Sequence, residues 1–597
     1  MDQSLDRDGA PLSRVVDGLQ RSAKDSLTSA IRRNASTILL WVAPLAFLGL
    51  FYFYPLGSIL RLSFAFGEDG LIASIQEALV SASIRRVLWF TFWQATLSTA
   101  LTLLIGLPGA YLLARFEFRG KSLIQALAGI PFVLPTLVVA AAFNAFLGPR
   151  GWVNVGLMAL FDLPVPPVRF TNTIVAILVA HVFYNTTIVL RMVGDFWSHL
   201  DPRLSLAARS LGASPWQALR RVTLPLLLPS IAAAALLVFI FNFTSFGVVL
   251  VLGGPRFATL EVEIYYQTIS LFNLPLAAVL SVLQLVFTLA LTIVYTLLSN
   301  RLSRPLRLRP RRYTQARLVT WRSRLFAGVM VATLLALLTT PLVALAARSF
   351  ARLEPDRGQR TVENSGLTLD FYRELSINRR GSLFFVPPVT AIGISLAYAS
   401  ATVLLALALG LPASWALARN ADAALSRLLD PIFMLPLGTS AVTLGLGFIV
   451  ALNRPPLDLR ASPALVPLAH TLVALPFVVR SLTPALRSIQ PRLRQAAAML
   501  GASPAEVLRF IDLPLVGRAL IVAATFAFTI SLGEFGATAL IARPEYPTIP
   551  LVIYRFISQP GALNYGQALA LSTILMVVTA TGMLAIERFR IADVGEF

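Results

Sequence analysis

One feature limits the possible folds of this chain more than any other: a long apolar segment with a polar interruption occurs twice, in register. Leu206-Ala-Ala-Arg-Ser-Leu-Gly-Ala-Ser-Pro215 is matched by Gln495-Ala-Ala-Ala-Met-Leu-Gly-Ala-Ser-Pro504, an offset of 289 residues. The same offset joins His181 to His470, Arg191 to Arg480, Pro202 to Pro491, Pro225 to Pro514, Phe246 to Phe535, Thr259 to Thr548 and Tyr265 to Tyr554, without a gap. An earlier block repeats at an offset of 304: Gly106-Leu-Pro108 with Ala114-Arg115, against Gly410-Leu-Pro412 with Ala418-Arg419. The chain therefore reads as two homologous halves. The first half has fifteen extra residues before His181, which we assign to the loop Gly148–Phe170, where length changes are tolerated. That loop carries apolar Trp152–Leu163 and reads equally as a connector or as a contact with the membrane or an external partner. A hydrophilic loop kept between apolar spans in both copies suggests two equivalent docking events.

A mean hydropathy of +0.74 with only 13% charged residues places the chain among integral membrane proteins. About 20 mostly apolar residues are needed for a helix to cross a bilayer. Such runs fall near 37–60, 88–114, 125–147, 172–190, 226–251 and 275–298, and again near 325–347, 389–417, 430–451, 463–480, 516–541 and 565–586. The expected fold is an all-α integral membrane protein of twelve transmembrane helices in two six-helix halves. The expected division is a tail at 1–36, a first half at 37–298, an Arg-rich linker at 299–324 and a second half at 325–597.

The net charge of +21 does not point to nucleic acid, because it is concentrated. Arg301, Arg304, Arg307, Arg309, Arg311, Arg312, Arg317, Arg322 and Arg324 crowd one connection that has no acidic residue. The positive-inside rule makes this a cytoplasmic loop, with anionic lipid as its counter-charge. Both termini, the connection 115–122 and the repeated loops 191–224 and 480–513 then fall inside. Loops 62–85, 148–171, 252–274 and 349–387 fall outside. Residues 1–36 lack the apolar core of a secretory signal; Ser13 to Arg33 suits a surface helix. The end of the chain, about ten residues past the last span, is too short for a regulatory domain.

With no cysteine and three histidines (His181, His199, His470), thiolate chemistry and metalloenzyme spacings are excluded, and no metal or cofactor is expected. Gly120-Lys121-Ser122 mimics the end of a phosphate-binding loop, but Arg115 occupies the earlier glycine position and no strand precedes it. No nucleophile–base or metal constellation appears, so the chain does not read as an enzyme, and energy for transport must come from a partner or an ion gradient.

In each repeated loop a Pro-Arg pair (Pro202-Arg203, Pro491-Arg492) opens an alanine-rich helix. Gly212-Ala-Ser-Pro215 or Gly501-Ala-Ser-Pro504 then bends it, since glycine accepts positive φ and Ser-Pro starts the next helix. A second helix is expected over Trp216–Val222 and Ala505–Phe510, broken by Leu224-Pro225 and Leu513-Pro514 before the next span.

This arrangement resembles the E-A-A-x-x-x-G loop, with its following Leu-Pro, of binding-protein-dependent ABC importer permeases. Leu206 and Gln495 stand where the family has glutamate, which bears on a polar contact and not on the fold of the loop. The resemblance covers both halves. It implies that each loop is a cytoplasmic coupling element seated on one of two copies of a separate ABC ATPase subunit. Ala207, Ala208, Gly212 and Ala213, and Ala496, Ala497, Gly501 and Ala502, would face those subunits. It further implies an extracytoplasmic substrate-binding protein and a place in the bacterial cytoplasmic (inner) membrane. The fused halves, with Phe-Thr-Ser-Phe-Gly247 and Ser-Leu-Gly-Glu-Phe-Gly536, look most like iron(III)/thiamine-type permeases. Molybdate and sulfate permeases also carry Leu-Gly-Glu-Phe-Gly-Ala, so an oxyanion cargo stays open.

Candidate path residues lie in the fifth and eleventh spans: Asn242, Thr244, Ser245 and Phe246 against Thr529, Ser531, Glu534 and Phe535. Glu534 stands out because an ionisable group within a span is costly. It either assists a cationic cargo or, the favoured reading, pairs with an arginine or a backbone group. His181 and His470 are read as packing residues that hydrogen-bond between helices, and Gly247 and Gly536 as sites of close helix packing. The competing class is a gradient-driven transporter of the major-facilitator type, also with twelve spans in two halves. Its Gly-x-x-x-Asp-rich loop is missing here, and charges suited to proton coupling are scarce.

Overall fold

The computed structural model describes residues 40–64, 70–254, 256–302, 315–353, 366–379, 386–419, 424–453 and 457–589. The tail 1–36 and most of the linker arginines lie outside the described residues. Ten helices are long and apolar enough to cross a bilayer: Leu40–Ser63, Ala82–Arg115, Ile174–His199, Pro215–Phe243, Leu274–Leu298, Trp321–Ser349, Thr390–Ala418, Leu465–Arg487, Pro504–Gly533 and Ala562–Leu584. Two bent pairs complete twelve, Lys121–Val133 with Thr136–Phe161 at 112° and Leu425–Gly438 with Ala441–Ala451 at 96°. We number them spans 1 to 12 in chain order, the bent pairs being spans 3 and 9.

The bends have local causes. Pro135 cannot donate an N–H and keeps Leu134 extended (ψ 135°), so span 3 breaks between them. In span 9 a 3₁₀ turn over Leu435–Gly438 gives way to Ser440, whose hydroxyl caps the next helix by accepting from Val442 N–H (3.1 Å) and Thr443 N–H (3.2 Å). Freed backbone in a membrane protein has to find partners inside the protein. Tyr184 Oη donates to Leu134 O at 3.2 Å, and Tyr52 Oη meets Thr439 Oγ1 at 2.7 Å.

Within each half, spans 2, 4 and 5, or 8, 10 and 11, pack as a triplet. Gly106 and Gly410 let spans 2 and 8 press closely on spans 4 and 10: a Cβ at either would lie 2.7 Å from Val189 Cβ or 2.5 Å from Val478 Cγ1. Between the halves, elements are exchanged. Span 1 packs on Ala441–Ala451 of span 9, and span 7 on Thr136–Leu147 of span 3; span 12 also packs on both parts of span 3. The first span of each half thus covers the bent span of the other. Buried Glu261, in the helix Leu260–Ile269 before span 6, bonds Ser440 Oγ (2.5 Å) and Gln284 Nε2 (2.6 Å), adding a polar tie between halves. The described end of the linker also returns to the first half, where Ala316–Arg317 pairs in parallel with Phe116–Glu117.

Three expectations change. Spans 4 and 10 run on to His199 and Arg487, past the expected ends at 190 and 480, because Val193 and Trp197 in the first and Leu482 and Leu486 in the second stay buried. Leu-Pro does not break the chain before spans 5 and 11, which run continuously from Pro215 and Pro504. A π-turn at Leu219–Thr223 and another at Leu508–Asp512 absorb the proline by widening the helix where its ring would meet the carbonyl four residues back. At their other ends spans 5 and 11 stop at Phe243 and Gly533, short of 251 and 541. The loop Gly148–Phe170 contains a helix, Trp152–Phe161, which has no counterpart among the described residues between spans 9 and 10. Asn154 holds it down by donating to Gly148 O (2.8 Å) and Val168 O (2.9 Å) and accepting from Val168 N–H (2.8 Å).

Candidate functional site

The two repeated loops share their backbone geometry. Helices Pro202–Ser210 and Pro491–Met499 end at Gly212 (φ 92°) and Gly501 (φ 88°). Ala213 N–H reaches Ala208 O (3.1 Å) and Gly212 N–H reaches Arg209 O (3.0 Å); Ala502 to Ala497 and Gly501 to Ala498 repeat this at 3.0 Å each. This double closure is a Schellman ending, which requires the left-handed glycine. Ser214 with Gln217, and Ser503 with Glu506, then form reciprocal capping boxes that start the next helix. Ala207, Gly212, Ala496 and Gly501 are exposed, and Ala208, Ala213, Ala497 and Ala502 are half-buried. Beside them Leu211, Met499 and Leu500 are each 89% exposed. Large apolar side chains presented on a rigid bend, next to small residues, suit contact with another protein.

The polar path candidates sit elsewhere, between spans of one half. His181 bonds Ser98 Oγ (3.0 Å) and Ser245 Oγ (2.9 Å). Asn242 is fully buried; its Oδ1 accepts from Asn185 Nδ2 (2.7 Å) and its carbonyl from Gln94 Nε2 (2.9 Å). In the second half His470 bonds Ser531 Oγ and Thr538 Oγ1, both at 2.8 Å, and Ser531 donates to Thr402 Oγ1 at 3.2 Å. Thr244, Ser245 and Glu534 lie where the helices stop, not inside a span. The buried Glu534 carboxylate accepts from Ala537 N–H (2.8 Å), Thr538 N–H (3.0 Å) and Thr538 Oγ1 (2.7 Å), and lies 3.3 Å from His470 Nε2. It closes the backbone break after span 11.

Phe246 and Phe535 do meet. Their rings stack across the two halves at 5.4 Å between centroids and 18° between planes. Tyr265 lies 5.3 Å from Phe246, and Tyr554 lies 5.4 Å from Phe535. The file Tyr265–Phe246–Phe535–Tyr554 is made of two pairs related by the 289-residue offset, so it straddles the axis that relates the halves. Gly247 and Gly536 make room for it and for the bent spans: a Cβ on Gly247 would lie 2.4 Å from Thr136 Oγ1 and 3.3 Å from Phe535 Cδ1, and one on Gly536 would lie 2.9 Å from Ala441 Cβ. The two tyrosines are missing from the sequence-derived candidates, although Tyr265/Tyr554 is the last aromatic pair in the ungapped repeat. Among the described residues, no group of His, Asp or Glu is arranged to hold a metal ion.

Residues 103–304 match the binding-protein-dependent transport system inner membrane component family. The chain is also 30% identical over 266 residues to PhnU of Salmonella paratyphi A, provisionally a 2-aminoethylphosphonate transport system permease protein, covering 44% of this chain and 92% of that one. The chain belongs to this permease family. It is a fused permease of an ABC importer and a multi-pass protein of the inner membrane. Over nearly its full length the permease is similar to the thiamine transport system permease proteins ThiP. Identity is 29% with that of Brucella abortus (89% of this chain, 92% of that one) and 28% with that of Escherichia coli (91% and 95%). A bacterial alginate ABC transporter, solved with an alginate pentasaccharide-bound periplasmic protein, aligns with 46% of the permease and 98% of its own chain at 17% identity and a TM-score of 0.39.

Proposed function

We propose that this permease moves thiamine or a similar small organic cation from an external binding protein to the cytoplasm, along the plane where its halves meet. The observation that carries the cargo assignment is the likeness to thiamine permeases across both halves, 29% over 537 residues. The ring file supports it: stacked aromatic faces attract planar cations. ATP is hydrolysed by two copies of a separate subunit, one on each repeated loop. Ala207, Ala208, Gly212 and Ala213 form one dock, and Ala496, Ala497, Gly501 and Ala502 the other. Both termini, the Arg-rich linker and both docks are cytoplasmic, which agrees with the charge bias.

In this scheme closure of the ATPase pair draws the two loops together. Spans 5 and 11, continuous with the loops, then rock and part the rings on one side. A loaded binding protein favours the outward state and ATP release favours the inward one; coupling is this difference in affinity between two states. The polar clusters at His181 and His470 keep each triplet rigid enough to move as a unit.

The test is uptake of labelled thiamine into proteoliposomes holding the permease, its ATPase subunit and its binding protein. ATP-dependent uptake, lost in Gly212→Asp/Gly501→Asp together with ATPase stimulation, is the expected result. Uptake of 2-aminoethylphosphonate or an oxyanion in place of thiamine would overturn the cargo assignment. ATPase activity indifferent to the loop mutations would overturn the docks and leave gradient-driven transport as the reading to test.

A further inference from the structure

The two loops share their turns but not their anchorage. In the second half Asp512, fully buried at the end of the π-turn, accepts from Arg494 Nε (2.7 Å) and from Trp415 Nε1 (3.0 Å). Arg494 also donates through Nη2 to Leu486 O at 3.3 Å. One carboxylate and one guanidinium thus join four elements: span 8 through Trp415, the end of span 10 through Leu486, the loop helix through Arg494, and the start of span 11 through Asp512. The sequence offsets place Tyr111, Ser205 and Thr223 at the corresponding positions of the first half. None of these is charged at neutral pH; the tie from span 2 to the start of the first loop is a longer, half-buried one, Arg115 Nη1 to Leu200 O at 3.5 Å with Asp201 nearby. Tyr111 stacks instead on Trp197 at 5.1 Å and packs near Phe116 (5.7 Å) and Phe326 (5.9 Å), apolar contacts that involve no residue of its loop.

We infer that Trp415, Arg494 and Asp512 are positioning residues that lock the second loop to spans 8, 10 and 11 through a buried charge pair, while the first loop, which has no buried pair at the matching positions, pivots more readily on its spans. The two ATPase docks of this fused chain are then mechanically unequal. The physical reason is directional: a buried charge-assisted pair tolerates little change in distance or angle, because any separation leaves charge in a poorly solvated place. Ring packing slides at much lower cost. Two identical ATPase subunits closing on the docks would therefore move the second half as one body and take up slack in the first. This inference rests on the loops being the docks, but its first arm does not need that reading.

The chain has no cysteine, so paired spin labels can be placed without background. Labels at Ala505 and Leu404 report the second loop against span 8; labels at Trp216 and Ala100 report the matching pair in the first half. In lipid nanodiscs the second pair should give the narrower distance distribution. Arg494→Ser/Asp512→Thr installs the first-half residues and leaves no orphaned charge, so it should fold where Asp512→Asn alone fails. It should broaden the second distribution to the width of the first and lower cargo moved per ATP several-fold. Arg494→Lys, keeping the charge, should recover part of both. Ser205→Arg/Thr223→Asp with Tyr111→Trp should narrow the first distribution. A double variant with unchanged width and unchanged cargo per ATP overturns the inference. If the loops prove not to bind an ATPase, the docks fall, and the width comparison still decides the clamp.

Discussion

Glu534 is the buried carboxylate whose role the geometry decides most sharply, and replacing it separates structure from cargo binding. Its two oxygens hold Ala537 N–H, Thr538 N–H and the Thr538 hydroxyl, with His470 Nε2 at 3.3 Å. Glu534→Ala would strand two buried backbone donors where no water replaces the acceptor. Each stranded donor costs about 1–3 kcal/mol, and a bond to a charged acceptor contributes about 1.5–3 kcal/mol. A loss of about 4 kcal/mol follows, roughly a thousandfold in the ratio of closed to opened segment. Glu534→Gln keeps one acceptor oxygen and should cost about 1–2 kcal/mol. The assay is thermal melting of the purified chain in detergent, run beside uptake in proteoliposomes. The expected order of melting temperature is wild type, then Gln, then Ala, with uptake following it. If Glu534→Ala melts with the wild type and yet abolishes uptake, the carboxylate serves the cargo and the structural argument is wrong.

Three further outcomes follow from the same geometry. Gly106→Ala and Gly410→Ala drive a methyl into Val189 and Val478, so each should cost about 1–3 kcal/mol in melting, and Val189→Ala should recover most of the first. Gly212→Ala and Gly501→Ala meet nothing within 4 Å, so their cost is the positive φ alone; about 1 kcal/mol is expected, less for asparagine, read as faster hydrogen exchange at the turn. The Ser503 backbone N–H donates to the Glu506 carboxylate at 2.7 Å. An ionised acceptor makes the stronger bond, so this cap contributes most at neutral pH and weakens as the carboxylate is protonated. A nitroxide at Ala505 should therefore become more mobile on acidification, whereas one at Trp216, beside the uncharged Gln217 cap, should not, and Glu506→Gln should remove the difference.

Much of this architecture is written in local chemistry. Apolar length gives the spans, and the matched offsets give the halves. Gly212 and Gly501 with Ser-Pro after them give the bends, because the left-handed conformation and the serine cap are properties of those residues alone. Pro225 and Pro514 show the limit. A proline before a span reads as a break, yet a wide turn resolves its clash just as well, and the choice rests on whether the two helices are held in line by the rest of the fold. Ser245 and Glu534 occupy corresponding places, but only the packed structure reveals that one completes a histidine's bonds and the other closes a broken backbone.

The sequence by itself determined that the chain is a duplicated membrane protein with two bent polar loops, since hydropathy, repeat spacing and turn residues act over a few residues each. The tertiary structure alone decided that spans 1 and 7 cross to cover the other half, that Tyr265, Phe246, Phe535 and Tyr554 fall into one file, and that Asp512 meets Trp415. Those contacts join residues up to hundreds of positions apart, and they are chosen by the shape and polarity of whole packed faces, which no single stretch of chain carries.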